Sequence, residues 1–256
     1  RDSYESKPYR RMLMDLYGGR CYSSPTMDTK AGRAMNEKFP GTTGSLGMAI
    51  SEAVEVALED EKTHYTLGSV LNHVMLHQTI IGEETLLQLK KFGEDQADYV
   101  FGCAGGGSNL AGLSFPFIRE LIAGNCTTKI VAVEPASCPS MTEGEFRYDY
   151  GDVAHTTPLM KMYTMGADFV PDPIHAGGLR YHGMAPMVSH AHHLGLLQSI
   201  ALPQETTFKA GRLMARTEGI VPAPESTHAL AGALLEARKH QGTPGSGPSI
   251  VIGLSG

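Results

Sequence analysis

Tryptophan is missing from this 256-residue sequence, aromatic residues of every kind make up 7% of it, and no apolar run approaches the length that crosses a bilayer. The last absence argues against a helical membrane protein, and the first residues carry no signal-peptide pattern. Basic residues are also in short supply: 21 Lys and Arg stand against 27 Asp and Glu, a net charge of -6, so the electrostatic footprint of a nucleic-acid binder is lacking. The four cysteines, Cys21, Cys103, Cys126 and Cys138, form no C-x-x-C pair. That spacing offers neither a disulfide framework nor a zinc cluster and reads as the reduced thiols of a cytosolic protein. His73 and His77 stand four apart, and His190, His192 and His193 cluster, but no third ligand accompanies the first pair; both groups read as packing or polar helix faces rather than metal sites. A hydrophobic share of 41% and a charged share of 19% are ordinary for a globular chain with room for one large or two smaller domains.

Against that background one stretch stands out, Val100-Phe101-Gly102-Cys103-Ala104-Gly105-Gly106-Gly107-Ser108-Asn109. The apolar run from Tyr99 to Ala104 predicts a buried strand, three glycines break it, and Leu110, Leu113, Phe117 and Leu121 then recur at helical spacing. Strand, bare turn and helix N-terminus in that order build an anion site. Glycines admit close approach and positive φ, and the free N–H groups and positive dipole end of the helix favour a phosphate. Ser108 adds a hydroxyl donor. The spacing is neither the G-x-G-x-x-G of dinucleotide folds nor a G-K-[ST] triphosphate loop, so a small phosphorylated cofactor fits better than a nucleotide.

Elsewhere the pattern predicts helices over Pro8 to Tyr17, with Tyr9, Met12, Leu13, Leu16 and Tyr17 on the apolar face, over Asp28 to Lys38, and from Ser45 through Leu58. Arg20 to Ser23 and Thr63 to Leu67 read as short strands, and Val70 to Lys91 as one long helix or two joined near Gly82. Lys129 to Pro135 and Leu197 to Ala201 are strands alternating with helices over Pro186 to Leu194, Pro203 to Thr217 and Ser226 to Lys239, the rhythm of a parallel α/β sheet. Ser140 to Thr157 reads as a long covering loop and Gly242 to Pro248 as a flexible connector. The chain opens without Met and stops just past the apolar strand Ile250-Val251-Ile252, as a segment of a longer protein would.

Several islands together resemble the tryptophan synthase β subunit, in the fold type II group of pyridoxal 5'-phosphate enzymes. Cys103 to Asn109 is similar to its phosphate loop, and Glu218-Gly219-Ile220-Val221-Pro222-Ala223-Pro224-Glu225-Ser226-Thr227-His228-Ala229 to the segment beside its cofactor ring. Leu254-Ser255-Gly256 resembles the strand end whose serine faces the pyridine nitrogen. Leu67 to His73 and Lys7 to Met12 also fit. Arg180, within Gly178-Leu179-Arg180-Tyr181-His182-Gly183, stands where the better-known β subunits carry Asp, which resembles the second, divergent branch of the family. The family's Schiff-base lysine lies in a Gly-Ser-His-Lys-like motif that this chain lacks, and Lys7, Lys30, Lys161 and Lys209 stand in other contexts.

The resemblance implies an α/β, three-layer, parallel-sheet architecture with an incomplete N-terminal domain: residues 1–75 as the remainder of a mobile subdomain and 76–256 as the C-terminal phosphate-binding domain. It implies pyridoxal 5'-phosphate held by Gly105, Gly106, Gly107, Ser108 and Asn109, with Glu225 near the ring edge and Ser255 at the ring nitrogen. Ser69 reads either as a further phosphate hydroxyl or as a plain strand-end serine, and Glu225 also as a carboxylate at a helix N-terminus. A monovalent cation held by carbonyls such as those of Gly178 and Tyr181 belongs to the same resemblance. The implied reaction replaces the hydroxyl of L-serine with indole to give L-tryptophan, with no catalytic residue in this chain because the lysine is absent. A homodimer of the full-length protein is implied, and association with an α subunit is left open. The alternatives are a serine or threonine dehydratase-like lyase of the same fold type, and a noncatalytic cofactor-binding protein.

Overall fold

The structure, a computed structural model, describes residues 1–240, 242, 245 and 247–255. The predicted connector over Gly242 to Pro248 therefore lies partly outside the described residues, as does Gly256 at the end of the Leu254-Ser255-Gly256 island.

The run Tyr99–Cys103 forms β1, at the centre of the sheet, and Lys129–Pro135 (β2), Gln198–Leu202 (β5) and Ile250–Ile252 (β6) join it in the order β5-β2-β1-β6. Every pairing is parallel. Parallel strands must be covered on both faces, which explains why β1 and β2 are almost continuously apolar and buried. On one face Val100, Ile130 and Ala132 meet Leu110, Leu113 and Phe117 of α7 (Ser108–Ile122). On the other, Phe101, Cys103, Val131 and Val133 meet Ala229 and Ala233 of α10 (Ser226–Ala237). The result is the expected three layers. Gly102 lets α7 lie this close, since a Cβ there would stand 2.7 Å from Leu110 Cδ1.

Ahead of the sheet come α1 (Asp2–Ser6), α2 (Pro8–Leu16), α3 (Lys30–Lys38) and α4 (Leu46–Glu59). Thr29 and Ser45 cap α3 and α4 through side-chain oxygens that accept from Gly32 and Met48 N–H. The helix predicted at Pro8 is present and ends at Gly18 in the left-handed region, φ 80°. Its apolar face is not buried: Tyr9, Leu16 and Tyr17 are 78–80% exposed. The segment Val70 to Lys91 divides into α5 (Asn72–Gln78) and α6 (Ile80–Lys91), breaking at Thr79 rather than at Gly82. Gly82 instead lies inside α6, where a Cβ would run into the Leu113 carbonyl and Pro116 of α7.

Three expectations need correction. Arg20 to Ser23 and Thr63 to Leu67 are irregular, with no neighbouring strand among the described residues to supply ladder bonds. The long loop predicted over Ser140 to Thr157 contains β3 (Glu145–Tyr150), paired antiparallel with β4 (Leu159–Thr164). This hairpin abuts α8 (Pro186–His193), and α9 (Gln204–Thr217) packs beside α10.

Candidate functional site

The loop after β1 lies at the carboxyl end of the strand, where open parallel sheets place their ligands. Gly105, Gly106, Gly107 and Ser108 are buried. Among the described residues no backbone or side-chain acceptor meets the N–H groups of Gly105, Gly106, Gly107, Ser108, Asn109 or Leu110, while the next, Ala111 N–H, bonds Gly107 O at 2.9 Å. Buried N–H groups left without acceptors are rare, and four of them from Gly105 to Ser108, followed by that of the half-buried Asn109, form a cradle for an anion at a helix N-terminus. Gly107 takes φ 102°, a conformation that favours glycine.

The glycine Cα atoms are packed from outside the cradle. A Cβ on Gly105 would stand 2.5 Å from Gly178 O, one on Gly106 2.5 Å from Ser69 Cβ, and one on Gly107 2.7 Å from Met184 Sδ. Ala185 N–H, at the start of α8, holds the Gly106 carbonyl at 3.0 Å. Thus Gly178, Ser69 and Ala185 pack against the loop. Ser108 Oγ receives Gln78 Nε2 at 3.4 Å.

Glu225 does not cap α10 with its side chain. Its Oε1 accepts Gly178 N–H at 2.9 Å, so the carboxylate anchors the turn that backs Gly105. Ser255 lies beyond β6 and is exposed, and its N–H donates to Ser226 Oγ at 2.9 Å while Ser226 Oγ donates back to Ser255 O. Asn109 Nδ2 lies 3.6 Å from the sulfur of Cys103. Burial pushes the Cys103 thiol up to about 11, so it is a neutral spacer. The structure therefore gathers Gly105 to Asn109, Ser69, Glu225 and Ser255 around one sheet edge.

Beside Ser69, Gly177 and Gly178 a cleft of about 440 Å³ opens, lined also by Lys7, Arg11 and Arg180. Lys7 Nζ donates to His175 O at 2.9 Å, and desolvation lowers its pKa. Arg180 is buried, with its guanidinium donating to Pro171 O at 2.7 Å and lying 3.6 Å from Asp2. Of the two carbonyls suggested for a cation, Tyr181 O accepts the Cys138 thiol at 3.1 Å and Gly178 O faces Gly105. Among the described residues no three His, Cys, Asp or Glu side chains converge as a metal site.

Sequence reasoning missed Glu134, fully buried at the end of β2. Its carboxylate accepts from Ser140 Oγ, Met141 N–H, Thr142 N–H and Thr142 Oγ1 at 2.8–3.0 Å, folding the next loop back so that Cys138 reaches Tyr181. A glutamate inside an apolar strand was the available signal.

Comparison with known proteins supplies the context. A family profile described as pyridoxal-phosphate dependent enzyme matches residues 3–256. The chain is 52% identical over 256 residues to tryptophan synthase beta chain 2 of Methanothermobacter thermautotrophicus, covering all of this chain and 59% of that protein. It is 54% identical over 254 residues to tryptophan synthase beta chain of Fervidobacterium nodosum, covering 99% of this chain and 58% of that one. A third relative, tryptophan synthase beta chain 2 of Thermotoga maritima, is 51% identical over 254 residues, covering 99% of this chain and 60% of its own length. The chain thus spans somewhat over half the length of the curated relatives it matches.

Proposed function

Because the chain belongs to the pyridoxal-phosphate dependent enzyme family, we propose that the full-length protein is a cytoplasmic tryptophan synthase β-type lyase that replaces the hydroxyl of L-serine with indole. The observation that carries this reading is the run of N–H groups from Gly105 to Asn109, buried as far as Ser108 and without acceptors among the described residues, which fits a phosphate monoester. Likeness to tryptophan synthase beta chains over the whole of this chain favours it over a dehydratase.

When bound, pyridoxal 5'-phosphate supplies an electron sink for bonds at the substrate's α and β carbons. The five N–H groups and the Ser108 hydroxyl bind its phosphate, with Ser69 buttressing Gly106. Ser255 would face the pyridine nitrogen. A serine hydroxyl cannot hand over a full proton as a carboxylic acid can, so it leaves the ring largely neutral and a weaker sink, which suits elimination and replacement at the β carbon. Glu225, whose carboxylate holds Gly178, would stand at the ring edge. Residues 1–75 serve as part of a mobile subdomain and 76–256 as the cofactor domain, and the Schiff-base lysine is contributed by residues outside this chain. The full-length protein pairs as a homodimer.

The test is tryptophan formation by the full-length protein given pyridoxal 5'-phosphate, L-serine and indole. Release of ammonia from serine or threonine with no incorporation of indole would overturn the assignment.

A further inference from the structure

The hydroxyl of Ser226 makes two hydrogen bonds to the backbone of a single residue. It accepts Ser255 N–H at 2.9 Å and donates to Ser255 O, with the two Oγ atoms 3.5 Å apart. These are the only backbone hydrogen bonds of Ser255 among the described residues, for the last bond continuing the sheet is Gly253 N–H to Phe101 O at 2.9 Å. Ser226 is 1% exposed, and among the described residues its hydroxyl bonds Ser255 alone. The preceding residue, Glu225, holds Gly178, which backs Gly105. Consecutive residues at the start of α10 therefore grip both walls of the site, and that helix is buried from Ser226 to Ala233 against the sheet.

We propose that Ser226 is a positioning residue that fixes where the Ser255 hydroxyl points, so that the first turn of α10 sets the span between the phosphate cradle and the group facing the far end of the cofactor ring. The inference rests on the reading of Ser255 given above. Fixing both the N–H and the C=O of Ser255, three residues beyond β6, through one buried oxygen holds its backbone and so limits the directions from which its side chain reaches the ring.

The test compares binding of pyridoxal 5'-phosphate with binding of its 1-deaza analogue, in which a C–H replaces the ring nitrogen, to the full-length protein. Ser255→Ala is expected to weaken the natural cofactor about tenfold relative to the analogue, the order of one neutral hydrogen bond. Ser226→Ala is expected to reproduce that change in ratio, and the double variant to be no worse than either single one. Ser226→Cys, with a weaker donor and acceptor of similar size, should fall between and serves if the alanine variant does not fold. A Ser255→Ala protein with an unchanged ratio would overturn the reading of Ser255. A changed ratio in Ser255→Ala with none in Ser226→Ala or Ser226→Cys, or losses that add in the double variant, would overturn the role of Ser226 alone.

Discussion

A methyl group added to the loop after β1 meets neighbours that are themselves fixed. At Gly106 it would lie 2.5 Å from Ser69 Cβ and at Gly105 2.5 Å from a backbone carbonyl. Gly106→Ala is therefore expected to weaken binding of pyridoxal 5'-phosphate at least tenfold, about 1.4 kcal/mol, by spreading the N–H groups; unchanged affinity in a fluorescence titration would count against the cradle. Two buried histidines carry a second consequence. Burial lowers the pKa of His182, whose Nε2 bonds Tyr150 O at 2.9 Å, and of His228, whose Nδ1 lies 3.0 Å from Pro224 O. Each is neutral in the fold but titrates near 6.5 when unfolded, so the unfolded chain binds more protons below that pH. Their contribution is complete above about pH 6.5 and is lost as the pH falls through the lower folded values. Denaturant unfolding at pH 7.5 and 5.5 should show that loss, and His182→Asn should reduce it.

Elements were legible where their signals are local. β1, the glycine turn and α7 declare themselves within a few residues, because an apolar run, three glycines and a helical repeat need no distant partner. β3 did not, since Glu145-Phe146-Arg147-Tyr148-Asp149-Tyr150 is a strand only through its pairing with β4. Arg20 to Ser23 and Thr63 to Leu67 fail for the converse reason, having strand-like composition and no neighbouring strand among the described residues. On α4, Glu52 looks like a surface glutamate, yet it is 6% exposed and accepts from Thr26 N–H at 3.0 Å and from the hydroxyls of Ser24, Thr26 and Thr29. Burial alone would raise its pKa, and those donors outweigh burial and hold it below the usual carboxylate range. Glu52→Ala strands an N–H and three hydroxyls and is expected to cost about 2–4 kcal/mol in denaturant unfolding. Gly82→Ala, which drives a methyl into the Leu113 carbonyl where α6 crosses α7, should cost about 1–3 kcal/mol by overpacking while leaving the cofactor site intact.

Across the whole molecule, the site is assembled by the shared direction of the strands. β1 delivers the glycine cradle, β2 the Glu134 clasp, and β6 leads to Ser255, all at the carboxyl edge of one parallel sheet. No local pattern in the sequence says that Gly105 and Ser255, 150 positions apart, follow neighbouring parallel strands of one sheet. Only the fold type implied by the combined motifs linked them, and Glu134 and Ser226, which hold those loops, were not singled out. A ligand that bridges the sheet edge should stabilise the molecule as a unit, because unfolding any of these strands releases it. Pyridoxal 5'-phosphate at a hundred times its Kd is expected to add about 2.7 kcal/mol to the stability of the full-length protein. Since the cradle is built of N–H donors, pyridoxal without its phosphate should add far less at equal concentration, and millimolar inorganic phosphate should compete with the full cofactor. Calorimetric melts with the three ligands distinguish these cases. Equal stabilisation by pyridoxal and by its phosphate would mean that Gly105 to Asn109 bind no anion.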